Sequence, residues 1–498
     1  VSLLLVDNLG YWESSIQTLA IVIISGLITI IIGIPVGIWC AQRATVQKIV
    51  TPILDFMQTM PAFVYLIPSI LFFGIGVVPG IIASFIFAIA PTIRMTNLGI
   101  REVPKDLVEA ADAFGSSSSQ KLFKVQLPLA TPTIMAGVNQ SIMLALSMVV
   151  TASLVGAPGL GADVYRAVSQ IDVGQGLSIV FLAIILDRIT QNLRNPAYKH
   201  VLKPRIAFSI LGVLVIGTAI VMAISNGNQA YNEDDHSIGA RTEYEIIGIE
   251  PGAGIMGQAS NALEDYGLEQ WKLVEGSSAA MVAELKKSYD AGKPIIVTGW
   301  APHWKFASYK LKFLDDPQGT FGGAEDIHTL VRKGLDQDAP GAYTILDQFL
   351  WDPSDMEEVM VQISGGMDAG EAAEEWIAAN PDKVAEWTKG AKAGKGEKVN
   401  LVFVAWDTEI ASTNVAGKVL EQNGYDVTLT QVEVGPMFAG VANGSSDAMV
   451  GAWLPSTHVE YYNTYKNDLV DLGKNLHGTK SGLVVPEYVE IDSIEDLK

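Results

Sequence analysis

SNGNQAYNEDDHSIGAR, residues 225–241, separates two stretches of chain with different physical character. It is polar, contains glycine and has no hydrophobic periodicity, which is the composition of a linker. Residues 1–241 hold 14 Lys+Arg and 13 Asp+Glu, a net charge of +1. Residues 242–498 hold 19 and 41, a net charge of -22. The whole-chain figures of 49 % apolar and 17 % charged residues, with net charge -21, therefore average an apolar, nearly neutral half and an acidic, soluble one. An ordinary soluble chain carries about 25 % charged residues. Disorder and coiled coil are poor readings of this composition, and the acidic balance argues against nucleic acid as a partner. Cys40 is the single cysteine, so neither an intramolecular disulfide nor a cysteine-based zinc site can form.

Upstream of the linker, apolar stretches long enough to cross a bilayer as helices recur. The candidates are six: 17–40, 55–78, 80–98, 131–155, 175–191 and 207–225. Pro79-Gly80 reads as a tight turn between the second and third. Their number and length exclude a signal peptide as the explanation. Lys and Arg fall in alternate loops: Arg43 and Lys48, then five between Arg94 and Lys124, then five between Arg188 and Arg205. The positive-inside rule puts those loops in the cytoplasm and residues 1–16, 156–173 and everything after 225 outside. The chain opens on Val1 rather than Met, which leaves room for a further upstream helix.

Within the basic loop 99–130, residues 109–128 read EAADAFGSSSSQKLFKVQLP. Glu109, Ala110 and Ala111 start a short helix on small side chains, Gly115 permits a sharp bend, and Pro128, after Leu127, restarts the chain toward the next membrane helix. A compact knob of this kind can dock in a groove on a partner. The spacing resembles the coupling loop of ABC importer permeases, with Val125 where Ile is commoner. The ATPase itself is not expected in this chain. The nearest approach to a Walker A loop is GKNLHGTKS, Gly473–Ser481, where Thr479 stands at the required lysine. It reads as a surface turn.

Downstream of the linker, EIIGIEPG, PIIVTGW, VNLVFVAW, VTLTQVEVG and AMVGAWLP read as strands, with helical patterns such as Ala280–Asp290 and Asn414–Gly424 between them. That alternation implies an α/β sheet covered on both faces. Three strands end on tryptophan: Trp300, Trp406 and Trp453. Ligands of open α/β sheets bind beyond the carboxyl ends of strands, and a set of indole faces attracts a quaternary ammonium by cation–π interaction. Trp271, Trp351, Trp376 and Trp387 fall in helical or loop patterns and read as packing residues. A zwitterion needs an anion site as well. Glu250-Pro-Gly-Ala-Gly-Ile-Met256 runs from a strand into a helix, so the amides of Gly254 and Ile255 are natural donors. His458 is five residues beyond Trp453 and can donate a further bond; His303, in GWAPHW, lies close to Trp300.

The segments IIGIEPGAGIM, TGWAPHW, YKLKFLDDP, GGAEDIHT, VAWDTEIASTNVAGKVLEQNGYDVTLTQVE and AWLPSTH closely resemble the binding protein of Opu-type (ProU-like) glycine betaine ABC importers. The resemblance covers nearly all of 242–498, and residues 1–225 resemble the permease of the same transporters. It implies an all-α transmembrane permease domain (1–224), the linker, and an extracellular domain (242–498) with the two-lobed α/β fold of type II periplasmic binding proteins. It also implies that Trp300, Trp406 and Trp453 surround a trimethylammonium while Gly254, Ile255 and His458 hold its carboxylate. The partners it implies are a second copy of this chain, two copies of an ABC ATPase subunit carrying ATP and Mg, the lipid bilayer and glycine betaine. No metal and no cofactor is expected in the chain itself. Proline betaine, carnitine or choline is the alternative substrate, and a non-transporting betaine sensor the alternative of another class. A docking knob without any kinase or methyl-accepting helix argues against a sensor.

Overall fold

The computed structural model describes residues 11–61, 63–73, 76–154, 156–170 and 237–498. The chain divides into two compact units, one helical and one α/β. The expected spans 175–191 and 207–225 lie outside the described residues.

In the helical unit, α1 (Trp12–Gln42) and α4 (Val77–Arg101) are long and apolar enough to cross a membrane, as is the helical run Ser118–Ser153, which ends in α7 (Leu127–Ser153). At about 1.5 Å per residue each exceeds the hydrocarbon thickness. Helix α4 packs against both α1 and α7. Small residues allow the approach: a Cβ on Gly137 of α7 would lie 2.6 Å from Met95 Cβ and 2.9 Å from the Pro91 carbonyl of α4. Thr92 and Ser141 share a buried 2.8 Å hydrogen bond across the same contact.

The stretch 55–78 is not one span. It is divided between α2 (Ala44–Thr59) and α3 (Phe63–Phe73), with Met60 extended at ψ 136° ahead of Pro61. Proline crowds its predecessor out of the helical region, so the apolar run is interrupted in spite of its hydropathy. Nor are Pro79 and Gly80 the turn. They sit in the first turn of α4, where proline is tolerated, and the preceding Gly76, at φ 130°, makes the bend.

The knob is built as two short helices about Gly115. Helix α5 (Lys105–Ala113) ends at Phe114, Gly115 takes φ +74°, and Ser117 caps α6 (Ser118–Lys121) in a reciprocal pair with Gln120. Lys121 and Asp112 close the two arms with a 2.8 Å ion pair. A π-helical turn, Leu122–Gln126, then leads into α7 with Leu127 and Pro128 in its first two positions. Glu109, Ala110 and Ala111 do not start the first helix; Lys105 does, after Pro104. Ala111 is the buried residue of that helix, while Phe114 is 90 % exposed.

The α/β unit contains a mixed sheet in the order β2-β1-β3-β9-β5-β8-β6-β7, with β4 also on β9. Strands β1 (Glu245–Ile247), β2 (Lys272–Val274), β3 (Val297–Ala301) and β4 (Leu311–Phe313) form the first lobe with the end of β9 (Leu469–Pro486). Strands β5 (Glu325–Arg332), β6 (Lys398–Phe403), β7 (Asp426–Gln431) and β8 (Ala448–Leu454) form the second with its beginning. The long strand β9 thus runs through both lobes. GKNLHGTKS is part of it and not a surface turn: Thr479 is fully buried and pairs with Glu325, and Lys480 pairs with Ala301. Its glycines, Gly473 and Gly478, take positive φ where the pairing with β5 is irregular. Trp351, Trp376 and Trp387 are core residues, the last two stacked at 5.6 Å.

Candidate functional site

The three tryptophans expected at strand ends converge. Trp300 is the penultimate residue of β3, Trp406 follows β6 and is the N-cap residue of the helix Asp407–Gln422, and Trp453 is near the end of β8. With Gly254, Ile255, Ala253, Ile249, Thr408, Thr457 and Ser481 they line one cavity. Trp300, Gly254 and Ile255 belong to the first lobe, Trp406, Trp453 and Thr457 to the second, so the cavity lies in the cleft. Gly254 is the first residue of the helix Gly254–Asp265. The first amides of a helix have no intrahelical acceptor and carry the positive end of its dipole. Indoles and helix-start amides lining one cavity can hold a molecule carrying a quaternary ammonium and a carboxylate.

His458 is fully buried beside the residues that line the cavity. It stacks on Trp406 at 5.8 Å between centroids and meets Phe438 edge-on. Its Nδ1 accepts the Trp453 backbone N–H at 3.0 Å. Burial lowers its pKa to about 3, so the ring is neutral and its proton resides on Nε2. That Nε2 is buried and finds no acceptor among the described residues.

Carboxylates that sequence patterns do not single out set the geometry. Trp406 Nε1 donates to Glu250 Oε2 at 3.1 Å across the cleft, and Trp453 Nε1 donates to Glu409 Oε1 at 2.7 Å. Glu325, at the start of β5, accepts the amides of Ser456 and Thr457 and the Thr457 and Ser481 hydroxyls. Asp407 crosses the cleft to Trp304 Nε1 at 2.8 Å and to His303 at 3.3 Å. Lys305 is buried with its Nζ 4.3 Å from the Trp300 ring centroid, and desolvation lowers its pKa to about 7. His303 is therefore a packing and cleft-bridging residue, held neutral by burial with a pKa near 4. Only the WxxH spacing of 300–303 hinted at it.

Residues 228–379 and 397–498 match the family described as the substrate-binding domain of ABC-type glycine betaine transport systems. Residues 33–225 match the binding-protein-dependent transport system inner membrane component. A glycine betaine/carnitine transport binding protein, GbuC of Listeria monocytogenes, is 47 % identical over 60 % of this chain and 99 % of its own. The glycine betaine transport system permease protein OpuAB of Bacillus subtilis is 64 % identical over 39 % of this chain and 70 % of its own. The glycine betaine/proline betaine permease ProW of Escherichia coli is 55 % identical over 38 % of this chain and 55 % of its own. The chain is a membrane protein of the ABC-type glycine betaine transport family, in which a helical permease domain is followed by the family's two-lobed substrate-binding domain.

Proposed function

We infer that this chain is the membrane subunit of an ATP-driven importer that captures glycine betaine outside the cell and passes it inward. The observation that carries this reading is the cleft cavity lined by three indoles and by the first residues of a helix. The trimethylammonium lies against Trp300, Trp406 and Trp453. The carboxylate takes the amides of Gly254 and Ile255 and the Nε2 proton of His458. Two copies of the chain form the translocation path, and two copies of a separate ABC ATPase dock on the knobs around Gly115. ATP and Mg belong to that ATPase. Residues 1–224 are the permease domain, 225–241 the linker and 242–498 the binding domain. The binding domain lies on the outer face, a reading supported by the bias of Lys and Arg to alternate loops.

Isothermal titration of the full chain in lipid nanodiscs with glycine betaine, proline betaine, carnitine and choline tests the substrate. Glycine betaine is expected to bind most tightly and choline, which lacks a carboxylate, least. A preference for choline would overturn the reading, and a preference for carnitine or proline betaine would reassign the substrate.

His458→Ala is expected to weaken glycine betaine by about ten- to a hundred-fold, the worth of a hydrogen bond to a charged group. Choline should barely change. Because the ring is neutral far below physiological pH, the ratio between variant and wild type should stay constant from about pH 5 to 8. Equal losses for both ligands would mean that His458 acts by stacking on Trp406 and not on the carboxylate.

Gly115→Val forces a β-branched residue into a left-handed conformation that costs about 1–3 kcal/mol. Transport and ligand-stimulated ATP hydrolysis in proteoliposomes are expected to fall about ten-fold with glycine betaine affinity unchanged. Wild-type uptake at equal expression would remove the knob from the coupling path.

A further inference from the structure

Two of the three cavity indoles are held by their ring nitrogens to buried carboxylates. Trp453 Nε1 is 2.7 Å from Glu409 Oε1, and the other oxygen, Oε2, accepts the Thr408 hydroxyl at 2.6 Å. Trp406 Nε1 is 3.1 Å from Glu250 Oε2. Glu409 is 1 % exposed, and Gly451 on β8 leaves room for it: a Cβ there would lie 2.5 Å from Glu409 Cγ. A backbone glycine and a hydroxyl donor thus accommodate a carboxylate that bulk solvent does not reach. Packing alone does not call for an acid here. An amide or an apolar side chain would fill the same space without the desolvation cost of a buried charge.

We propose that Glu409 is a positioning and selectivity residue of the binding site, which fixes the Trp453 ring through its N–H and supplies, through that ring, the negative charge that favours a cationic over a neutral trimethyl head group. The inference rests on the trimethylammonium reading of the cavity. Glu250 acts in the same sense on Trp406. A negative charge accepting an indole N–H makes the π face more electron-rich, and in a dry cavity that charge is weakly screened. Lys305 beside Trp300 opposes it. The selectivity of the cavity for cations is therefore a balance of buried ionisable groups behind the rings as well as of the rings themselves.

The test compares glycine betaine with 3,3-dimethylbutanoate, in which carbon replaces nitrogen and the positive charge is lost while shape and carboxylate remain. The full chain in nanodiscs is titrated with each, at pH 8, as wild type and as Glu409→Gln. The amide can still accept the Trp453 N–H, so geometry is kept and charge is removed. The preference for betaine over the carbon analogue is expected to fall on the order of ten-fold, through weaker betaine binding. A merely structural role would weaken both ligands equally. An unchanged preference, whether both affinities fall or neither moves, overturns the proposal.

A second arm uses pH. Burial raises the Glu409 pKa to about 7. A bound cation favours the ionised form, so the wild-type preference should be larger at pH 8.5 than at pH 5.5. The groups facing Glu409 are Thr408 and Asp407 on its own helix and Trp453 on β8; His303 and Lys305 face Asp407 from the other lobe. Lys305 deprotonates in the same range and would act in the same direction. The pH slope must therefore shrink in Glu409→Gln, where only Lys305 still titrates, and persist in Lys305→Met. The Lys305→Met result decides the matter if Glu409→Gln does not fold, and a slope lost in Lys305→Met overturns the proposal. A wild type that binds no betaine at all overturns the functional reading, and this inference with it, before any variant is made.

Discussion

Glycine betaine affinity is expected to fall by about a thousand-fold when Gly254 is replaced by alanine. A Cβ at this position would lie 1.8 Å from the Thr457 carbonyl oxygen and 2.7 Å from its carbon. Both are backbone atoms, so no rotamer change relieves the contact. The 456–457 loop cannot retreat either, because Glu325 accepts both its amides, at 3.1 and 2.9 Å. Gly254 is equally fixed as the first residue of its helix. The remaining relief is for the two lobes to part. Parting breaks the bonds from Trp406 to Glu250, Trp304 to Asp407 and Tyr461 to the Gly252 carbonyl. Two of these involve charged acceptors worth about 1.5–3 kcal/mol each and one is neutral at about 1 kcal/mol, so together they exceed about 4 kcal/mol. The thermal midpoint of the unliganded variant should stay near that of wild type, because the clash exists only when the lobes are closed. Titration giving a Kd within three-fold of wild type would mean that ligand binding does not require this approach of the lobes.

Trp453→Ala is expected to weaken glycine betaine by about a hundred-fold or more. The ring lines the cavity, and its loss removes a cation–π contribution of about 0.5–2 kcal/mol together with the packing of a buried aromatic, about 3–5 kcal/mol, part of which is felt by the ligand. It also strands Glu409, whose Oε1 loses its indole donor. A graded series separates these effects. Trp453→Phe keeps a π face without the N–H, Trp453→Leu keeps volume without a π face, and alanine keeps neither. Affinity should decline in that order, and the same order should hold at 300 and 406. If leucine at any of the three retains full affinity, that position contributes only hydrophobic volume.

Long-period features could be read from the chain alone. The apolar lengths gave α1, α4 and α7, because a membrane span depends on hydropathy summed over many residues. The same summation failed at 55–78, where one proline contact, Met60 against Pro61, outweighs the hydropathy of the run. The bend at Gly115 was legible because its φ of +74° is one that few residues but glycine adopt. The start of helix α5 was misplaced, since small residues such as Ala110 favour a helix without marking its end.

In the α/β unit, the short apolar runs ending in tryptophan gave β3, β6 and β8, and with them the three indoles of the cavity. Strands β5 and β9 were not seen. Their polar residues Thr329, Asn475 and Thr479 break the apolar pattern, and they are buried because they bond to one another or to the backbone across the sheet. Which residue types stand at strand ends and helix starts was legible along the chain, since those depend on near neighbours. The places of Glu250, Glu325, Asp407 and Glu409 around the cavity emerge from the folded arrangement alone. A carboxylate acquires such a role from the donors brought to it, and Trp406 lies 156 residues from Glu250 in the chain while Thr457 lies 132 from Glu325.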